Sequence, residues 1–220
     1  QSFGMQAVVI DASELIWHDG KLWANERPID LVYNRLTDFY LEDDAHQALK
    51  IAYEANAVVL TPHPQAHALY ANKHNLVRLS NAQSLTQLGI NEALQQTLLN
   101  TIPKTETVNP AKADDLWARR KQLFFKPANG YGSKATYRGD KMTRRVWEEI
   151  LQGDYVAQQL VPPSARRLQA DGIEAELKVD IRAYAYAGEI QLLAARLYTG
   201  QTTNFRTSGG GFAPVFLMPN

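Results

Sequence analysis

A run of alternating polar and apolar residues, joined by a two-residue turn to a second run that is mostly apolar, constrains the folding of this 220-residue chain most strongly. The first run spans residues 177–186, the second spans residues 189–198, and Ala187-Gly188 joins them. Alternation of this kind is typical of a β-strand with two different faces, and a short turn containing glycine is typical of a hairpin. We therefore predict antiparallel strands in the last third of the chain, with one polar face.

The rest of the chain predicts a mixture of strands and helices. Asp19-Gly20 separates two short apolar stretches, which indicates a β-hairpin. Residues 42–55 have apolar side chains at helical spacing, and residues 65–100 predict a few short helices. Further strands are predicted at residues 7–10, 31–33, 57–60, 122–126 and 155–161. This order predicts an α/β fold, and the apolar residues 212–218 are expected to return to the core.

The composition excludes several classes of site and partner. The chain has no cysteine, which rules out disulfides, thiol nucleophiles and cysteine-ligated metals. Lys and Arg total 23 and so do Asp and Glu, which argues against general nucleic-acid binding but allows a local basic site for phosphate. No apolar run reaches the roughly 18 residues of a membrane span. We expect a cytoplasmic protein with no nucleic-acid or membrane partner; homo-oligomers are compatible with this expectation.

A lysine at the end of a predicted strand is followed at once by a loop rich in glycine. The strand ends at Lys126, and the loop consists of Gly130, Tyr131, Gly132 and Ser133. Glycines let backbone amides approach a ligand closely, and such amides bind phosphate oxygens. The loop lacks the Gly-x-x-x-x-Gly-Lys-Ser/Thr pattern of a P-loop. A surface hairpin with a solvated lysine would have the same composition and is the alternative interpretation.

Three further segments have the composition of binding elements, and each has a structural alternative. Residues 155–161 are followed by Pro162-Pro163. This segment could offer backbone groups to a flat ring, or it could be an edge strand closed by prolines. Alternation places Asp180 and Arg182 on one strand face, which suits an anionic ligand or cross-strand ion pairs. Residues 203–211 contain three consecutive glycines, and ordering such a stretch is costly in conformational entropy unless a ligand binds there. The alternative is that the segment is a loose tail.

Taken in order, these segments resemble the motifs of the ATP-grasp enzymes. Lys73, in Ala-Asn-Lys-His-Asn-Leu, resembles the first nucleotide lysine of that family, and Lys126 with its glycine-rich loop resembles the second. Residues 155–161 resemble the hinge strand that touches adenine. The run of Asp180, Arg182, Arg196, Asn204 and Arg206 resembles that of ribosomal-protein glutamate ligases. Residues 29–39 resemble a segment of the circularly permuted, glutathionylspermidine-synthase-like group.

The resemblance implies an ATP-grasp fold with two lobes, a nucleotide cleft between them and a small α/β region before them. The implied boundaries are residues 1–72 for the preceding region, 73–160 for the first lobe and 161–220 for the second. Two positions depart from the family pattern. The late Glu-x-Asn is replaced by Thr202-Thr203-Asn204, and Gln158 stands where many members have glutamate.

The resemblance also implies an ADP-forming carboxylate–amine ligase that acts through an acyl phosphate. Its substrates would be a small-molecule or peptide carboxylate and an amine. ATP would contact Lys73, Lys126, Gly130, Tyr131, Gly132, Ser133, Gln158, Gln159 and Leu160. Mg²⁺ would be held by Asp180 and Asn204, and the catalytic residues would be Arg182, Arg196 and Arg206. Two alternatives remain open: a nucleotide-binding module without turnover inside a larger protein, and a structural α/β domain whose loops bind a protein.

Overall fold

A computed structural model describes residues 4–132, 134–170, 173–200 and 210–218, with the side chains of residues 168–170 and 173–175 excepted. The described residues form a mixed α/β fold with several separate sheets. No helix in these ranges is both long and apolar enough to cross a bilayer. Many of the buried hydrophobic residues form two clusters, one within residues 12–60 and the other within residues 108–157. The division into two ATP-grasp lobes stays a prediction.

The first cluster lies beneath a small antiparallel sheet and a parallel pair of strands. The strands are β1 (Ile16–His18), β2 (Lys21–Ala24), β3 (Arg27–Pro28), β4 (Leu31–Tyr33) and β5 (Val59–Thr61). Helix α1 (Gln47–Glu54) connects β4 to β5 and buries Leu49 and Ala52 in this cluster. The Asp19-Gly20 hairpin is confirmed, and both turn residues have positive φ angles, as a tight hairpin turn requires.

Four short helices follow β5, as the sequence predicts. They are α2 (Pro64–Tyr70), α3 (His74–Leu79), α4 (Ala82–Gln87) and α5 (Glu92–Thr101). Side chains at their N-termini accept backbone hydrogen bonds: His63 caps α2, Asn81 caps α4 and Asn91 caps α5. Such caps satisfy amide groups that have no partner within the helix. These caps therefore fix the residues at which α2, α4 and α5 begin.

The second cluster lies against a four-stranded sheet in the order β6-β9-β7-β8. The strands are β6 (Thr105–Thr107), β7 (Leu123–Pro127), β8 (Tyr137–Arg138) and β9 (Tyr155–Gln159). Helices α6 (Ala113–Ala118) and α7 (Arg144–Gln152) contribute Leu116, Trp147 and Ile150 to the cluster. Phe125 on β7 is fully buried there, so strand alternation places its neighbours Phe124 and Lys126 on the other face of the sheet.

The last sheet is antiparallel, as its alternation predicts. Its strands are β10 (Ser164–Ala170), β11 (Ile173–Tyr186), β12 (Glu189–Tyr198) and β13 (Gly211–Pro214). Asp180 lies opposite Arg196, and Arg182 lies opposite Ala194, so these side chains share one face. A bulge between Tyr184 and Ala185 shifts the register near the turn.

Two predictions about apolar segments are wrong. Residues 7–10 form no strand, and Val9 is fully exposed, because no neighbouring strand lies alongside them in the described structure. At the other end, β13 pairs with β12, but Phe216, Leu217 and Met218 are all more than 80% exposed. The apolar tail therefore does not return to the core.

Candidate functional site

A cleft of about 470 Å³ lies on the face of the β6–β9–β7–β8 sheet that carries Lys126. The loop before α3, the glycine-rich loop, the end of β9, Lys178 within β11 and Tyr198 at the end of β12 all contribute to its walls. Among the residues predicted to contact ATP, those lining the cleft are Lys73, Lys126, Gly130, Tyr131, Gly132, Gln158, Gln159 and Leu160. Ser133 lies outside the described residues. The cleft thus brings together segments that are far apart in the sequence.

Lys126 is positioned by a chain of side-chain hydrogen bonds across the sheet. Its Nζ atom donates to Oε1 of Gln158 at 2.7 Å, and Nε2 of Gln158 donates to Oγ1 of Thr105 at 2.9 Å. Gln158 is only 8% exposed, so the amide has little freedom to turn. The side chain of Gln158 therefore presents its oxygen to the lysine, and the partner of Lys126 is neutral.

Lys73 is joined to the glycine-rich loop by both its backbone and its side chain. Its backbone N–H donates to the carbonyl of Ala128 at 3.0 Å, and its Nζ donates to the carbonyl of Gly130 at 3.0 Å. The amide of Ala128 in turn donates to the carbonyl of Asp154, whose carboxylate lies 2.6 Å from Nε2 of His74. The start of α3 and the end of β7 are therefore held together at the cleft.

The cleft is cationic. The charged residues that line it are Lys73, Lys126, Lys134, Arg138 and Lys178, and no Asp or Glu is among the lining residues in the described part of the chain. Neither Lys73 nor Lys126 has an ion-pair partner there. Burial lowers the pKa of Lys73. Burial also lowers the pKa of Lys126, and the charge of Lys73 lowers it further.

The glycine-rich loop rests on aromatic residues from the first part of the chain. The ring of Tyr131 meets Phe39 edge-on with a centroid distance of 5.1 Å, and Phe39 stacks on His67 at 3.9 Å. Hydrogen bonds from Thr37 and then from Lys134 lower the pKa of Tyr131. Burial, and then the charge of Lys73, lower the pKa of His67, which favours the neutral ring in this stack. Sequence reasoning did not identify Phe39 or His67, since no local pattern links them to the loop.

Two of the predicted arginines, Arg182 and Arg196, lie on the strand face that also carries Lys178. Arg196 donates through Nε to Oδ1 of Asp180, and the guanidinium of Arg182 lies 5.3 Å from the ring centroid of Tyr184. On the same strand face, Lys178 lies opposite Tyr198, and both line the cleft. Neither Arg182 nor Arg196 lines it. Arg206 and Asn204 lie outside the described residues, so the convergence of three arginines stays a prediction.

The residues that the structure describes do not fit a preformed magnesium site. Asp180, the predicted carboxylate ligand, is already paired with Arg196. Within the described ranges, no group of three or more His, Asp or Glu side chains could hold a metal ion. Mg²⁺ prefers carboxylate and phosphate oxygens in octahedral arrangement. The cleft instead supplies nitrogen cations, which suit an anion.

Comparison with known proteins gives matches among solved structures alone. No family profile and no curated protein sequence matches the chain. A solved structure that does match is "Structure of ATP-grasp ligase PsnB complexed with minimal precursor", at 15% sequence identity and a TM-score of 0.31. The match covers 68% of this chain and 45% of that chain, so this chain spans less than half the length of that ligase. The chain thus has a distant structural neighbour that is an ATP-grasp ligase.

Proposed function

We propose that the cleft binds the triphosphate of ATP and that the chain is an ADP-forming carboxylate–amine ligase. The observation that carries the proposal is the set of cationic side chains in the cleft, with no carboxylate among the described lining residues. Two of these cations, Lys73 and Lys126, are half-buried and have neutral hydrogen-bond acceptors. Removing a charge from water without a partner of opposite charge is costly. An anionic ligand would therefore stabilise the charged forms of Lys73 and Lys126.

The dimensions and the wall residues suit a nucleotide. A volume of about 470 Å³ is within the range of small-molecule pockets. Lys73 and Lys126 would neutralise the phosphates, and the amides of the Gly130–Gly132 loop would approach them. Leu160 and Pro163 form apolar walls that suit the base. The backbone amides of Gln159 and Leu160 already donate to the carbonyls of Lys104 and Gln122, so the base would meet other groups of this strand.

The ligase chemistry would proceed in two transfers. A carboxylate oxygen of the acid substrate attacks the γ-phosphorus of ATP, the bond to the β-phosphate oxygen breaks, and ADP leaves. The amine then attacks the acyl carbon, phosphate leaves and the amine loses a proton. Lys73 and Lys126 would stabilise the charge that develops on the phosphates, and Arg182, Arg196 and Arg206 would hold the carboxylate. The acid and amine would be small molecules or peptides, and the cytoplasm would supply the ATP.

A thermal-shift titration tests nucleotide binding. ATP at 100 times its dissociation constant should stabilise the protein by roughly 2.7 kcal/mol. Lys126→Gln should lose most of this shift because the cleft loses a cation that faces the phosphates. Lys121→Gln is the matched control, since Lys121 is exposed and outside the cleft lining. Absence of any shift in the unsubstituted protein at millimolar ATP would overturn the proposal.

A nucleotide-binding module without turnover is the second candidate. It is favoured by the Asp180–Arg196 pair, which occupies the carboxylate predicted to hold the metal. Release of ADP in the presence of candidate acids and amines separates the two. Turnover supports the ligase, whereas ATP binding without ADP release across a panel of acids and amines supports the module.

A further inference from the structure

We infer that the cleft takes its polyphosphate ligand as the metal-free anion, with protein cations supplying the positive charge that Mg²⁺ would otherwise bring. This inference rests on the proposed function, because it concerns the form in which the same cleft binds ATP. It follows from three observations: the charge of the lining, the state of the nearby carboxylates and the identity of the partner of Lys126.

The lining supplies enough positive charge for a triphosphate by itself. Lys73 and Lys126 reach the cleft from one side, and Lys178 lines it from the facing sheet. Lys134 and Arg138 come from the segment that follows the glycine-rich loop. Addition of Mg²⁺ to the triphosphate would cancel part of the negative charge that these groups would otherwise neutralise. Attraction between the cleft and the ligand is therefore stronger for the metal-free form.

Three carboxylates beside the cleft lining are already engaged, and one of them, Asp140, has its Oδ1 atom 3.0 Å from Nε of the lining residue Arg138. Asp180 and Glu176 flank Lys178 on the same face of β11. Asp180 is paired with Arg196, and Oε2 of Glu176 lies 3.7 Å from Nε of Arg167. Residues 190–220 contain no Asp or Glu in the sequence, so this part of the chain supplies no carboxylate. A metal on the phosphates would thus have to displace an arginine to gain Asp140, Glu176 or Asp180 as a ligand.

The partner of Lys126 leaves its charge uncompensated. The amide of Gln158 fixes the position of Nζ through a 2.7 Å hydrogen bond but contributes no negative charge. A glutamate at this position would form an ion pair with Lys126 and would repel the phosphates. The Gln158→Glu change therefore adds one negative charge beside Lys126 with almost no change in side-chain size.

Isothermal titration of the full chain with ATP, once in EDTA and once in excess Mg²⁺, tests the inference. We expect ATP to bind at least as tightly in EDTA as with Mg²⁺, and inorganic tripolyphosphate in EDTA to compete with it. Tighter binding of ATP with Mg²⁺ than in EDTA overturns the inference and leaves the proposed function intact. Failure of ATP to bind in either buffer overturns the proposed function itself.

Two variants sharpen the test. Gln158→Glu should weaken binding in EDTA by roughly tenfold, the scale of one charge-assisted contact, and should weaken binding with Mg²⁺ less. Gln122→Glu adds the same charge at an exposed position outside the lining and should leave both affinities close to those of the unsubstituted protein. If Gln158→Glu does not fold, Lys134→Gln replaces it, because Lys134 is exposed and should tolerate substitution. An equal loss in both buffers for the folded variant contradicts the inference.

Discussion

The Nζ atom of Lys126 donates a 2.7 Å hydrogen bond to the side-chain oxygen of Gln158, so a neutral amide holds a cationic group in the cleft. Gln158 is in turn fixed by Thr105, which lies on the neighbouring strand. The arrangement orients the lysine without cancelling its charge. The cleft is therefore built for a ligand that brings its own negative charge.

Lys126→Met should remove ATP binding while leaving the free protein folded. The change removes a half-buried charge, which is favourable, but leaves the Gln158 oxygen without its donor, which is unfavourable. These effects oppose each other, so we expect the Tm without ligand to change by less than about 4 °C. Fluorimetry with and without ATP measures both quantities, with Lys121→Met as the control. Unfolding of the variant without ligand would show that Lys126 is structural.

ATP affinity should fall as the pH rises. Burial lowers the pKa of Lys73 and of Lys126, so both lose their protons at a lower pH than an exposed lysine. Affinity is full below the lowered pKa values and declines above them, so the decline begins at a lower pH than an ordinary lysine, with its pKa of 10.5, would give. Lys73→Arg should flatten this decline because arginine keeps its proton. Calorimetry at a series of pH values measures the effect, and a parallel decline in both proteins would rule out Lys73 as its source.

The same two lysines should make the ligand-free protein more stable as the pH rises. A lysine with a lowered pKa in the folded state binds fewer protons there than in the unfolded chain, between that pKa and the ordinary value of 10.5. Stability rises with pH wherever the unfolded state binds more protons. Urea unfolding of the unsubstituted protein and of the Lys73→Met, Lys126→Met double variant isolates this contribution, which should be absent in the variant.

Arg182→Lys should reduce turnover far more than it reduces ATP binding. Alternation and the β11–β12 register place Arg182 on the face that also carries Lys178, which lines the cleft. Arginine offers a rigid fork for carboxylate or phosphate oxygens, and lysine does not reproduce it. If Arg182 acts on the transferring group, the loss falls on the transition state. ADP release is compared with ATP affinity, with exposed Arg145→Lys as the control. Equal losses of ADP release and of ATP affinity would indicate that Arg182 contributes to ATP binding alone.

Gly139→Ala should destabilise the sheet that carries Lys126. A Cβ atom at this position would overlap the carbonyl oxygen of Arg120. Since backbone has to shift to relieve the overlap, we expect a loss of about 2–3 kcal/mol. Gly153→Ala is the comparison, because its new Cβ would meet the ring of Tyr155, a side chain that can turn. Chemical denaturation of both variants measures the difference, and equal losses would contradict the expectation.

Local patterns in the sequence predicted the hairpin of the last sheet and the glycine-rich loop. Residues in a strand alternate between two faces whatever surrounds the strand, so Asp180 and Arg182 could be placed on one face without a structure. Exposure of an apolar segment depends instead on whether another element covers it. Val9 and Phe216 are exposed in the described structure for this reason, although their sequences suggested a strand and a return to the core.

The contacts that orient the cleft residues could not be predicted. Gln158 and Lys126 occupy neighbouring strands, and their hydrogen bond depends on a register that no short motif encodes. Lys178 and Arg138 come from separate sheets and meet at the cleft through tertiary packing. Long-range contacts of this kind follow from the assembled fold, whereas glycine content and alternation are local properties of the chain.

The contact between Tyr131 and Phe39 has a consequence for dissecting the protein into fragments. Residue 73 is the predicted boundary of the first lobe, and a fragment starting there would retain all four lysines that line the cleft. It would lack Thr37, Phe39 and His67, which support the glycine-rich loop from outside that boundary. The smallest piece that keeps these contacts to the glycine-rich loop therefore begins before Thr37, and separately expressed halves cut at residue 73 would have to reassociate to restore them.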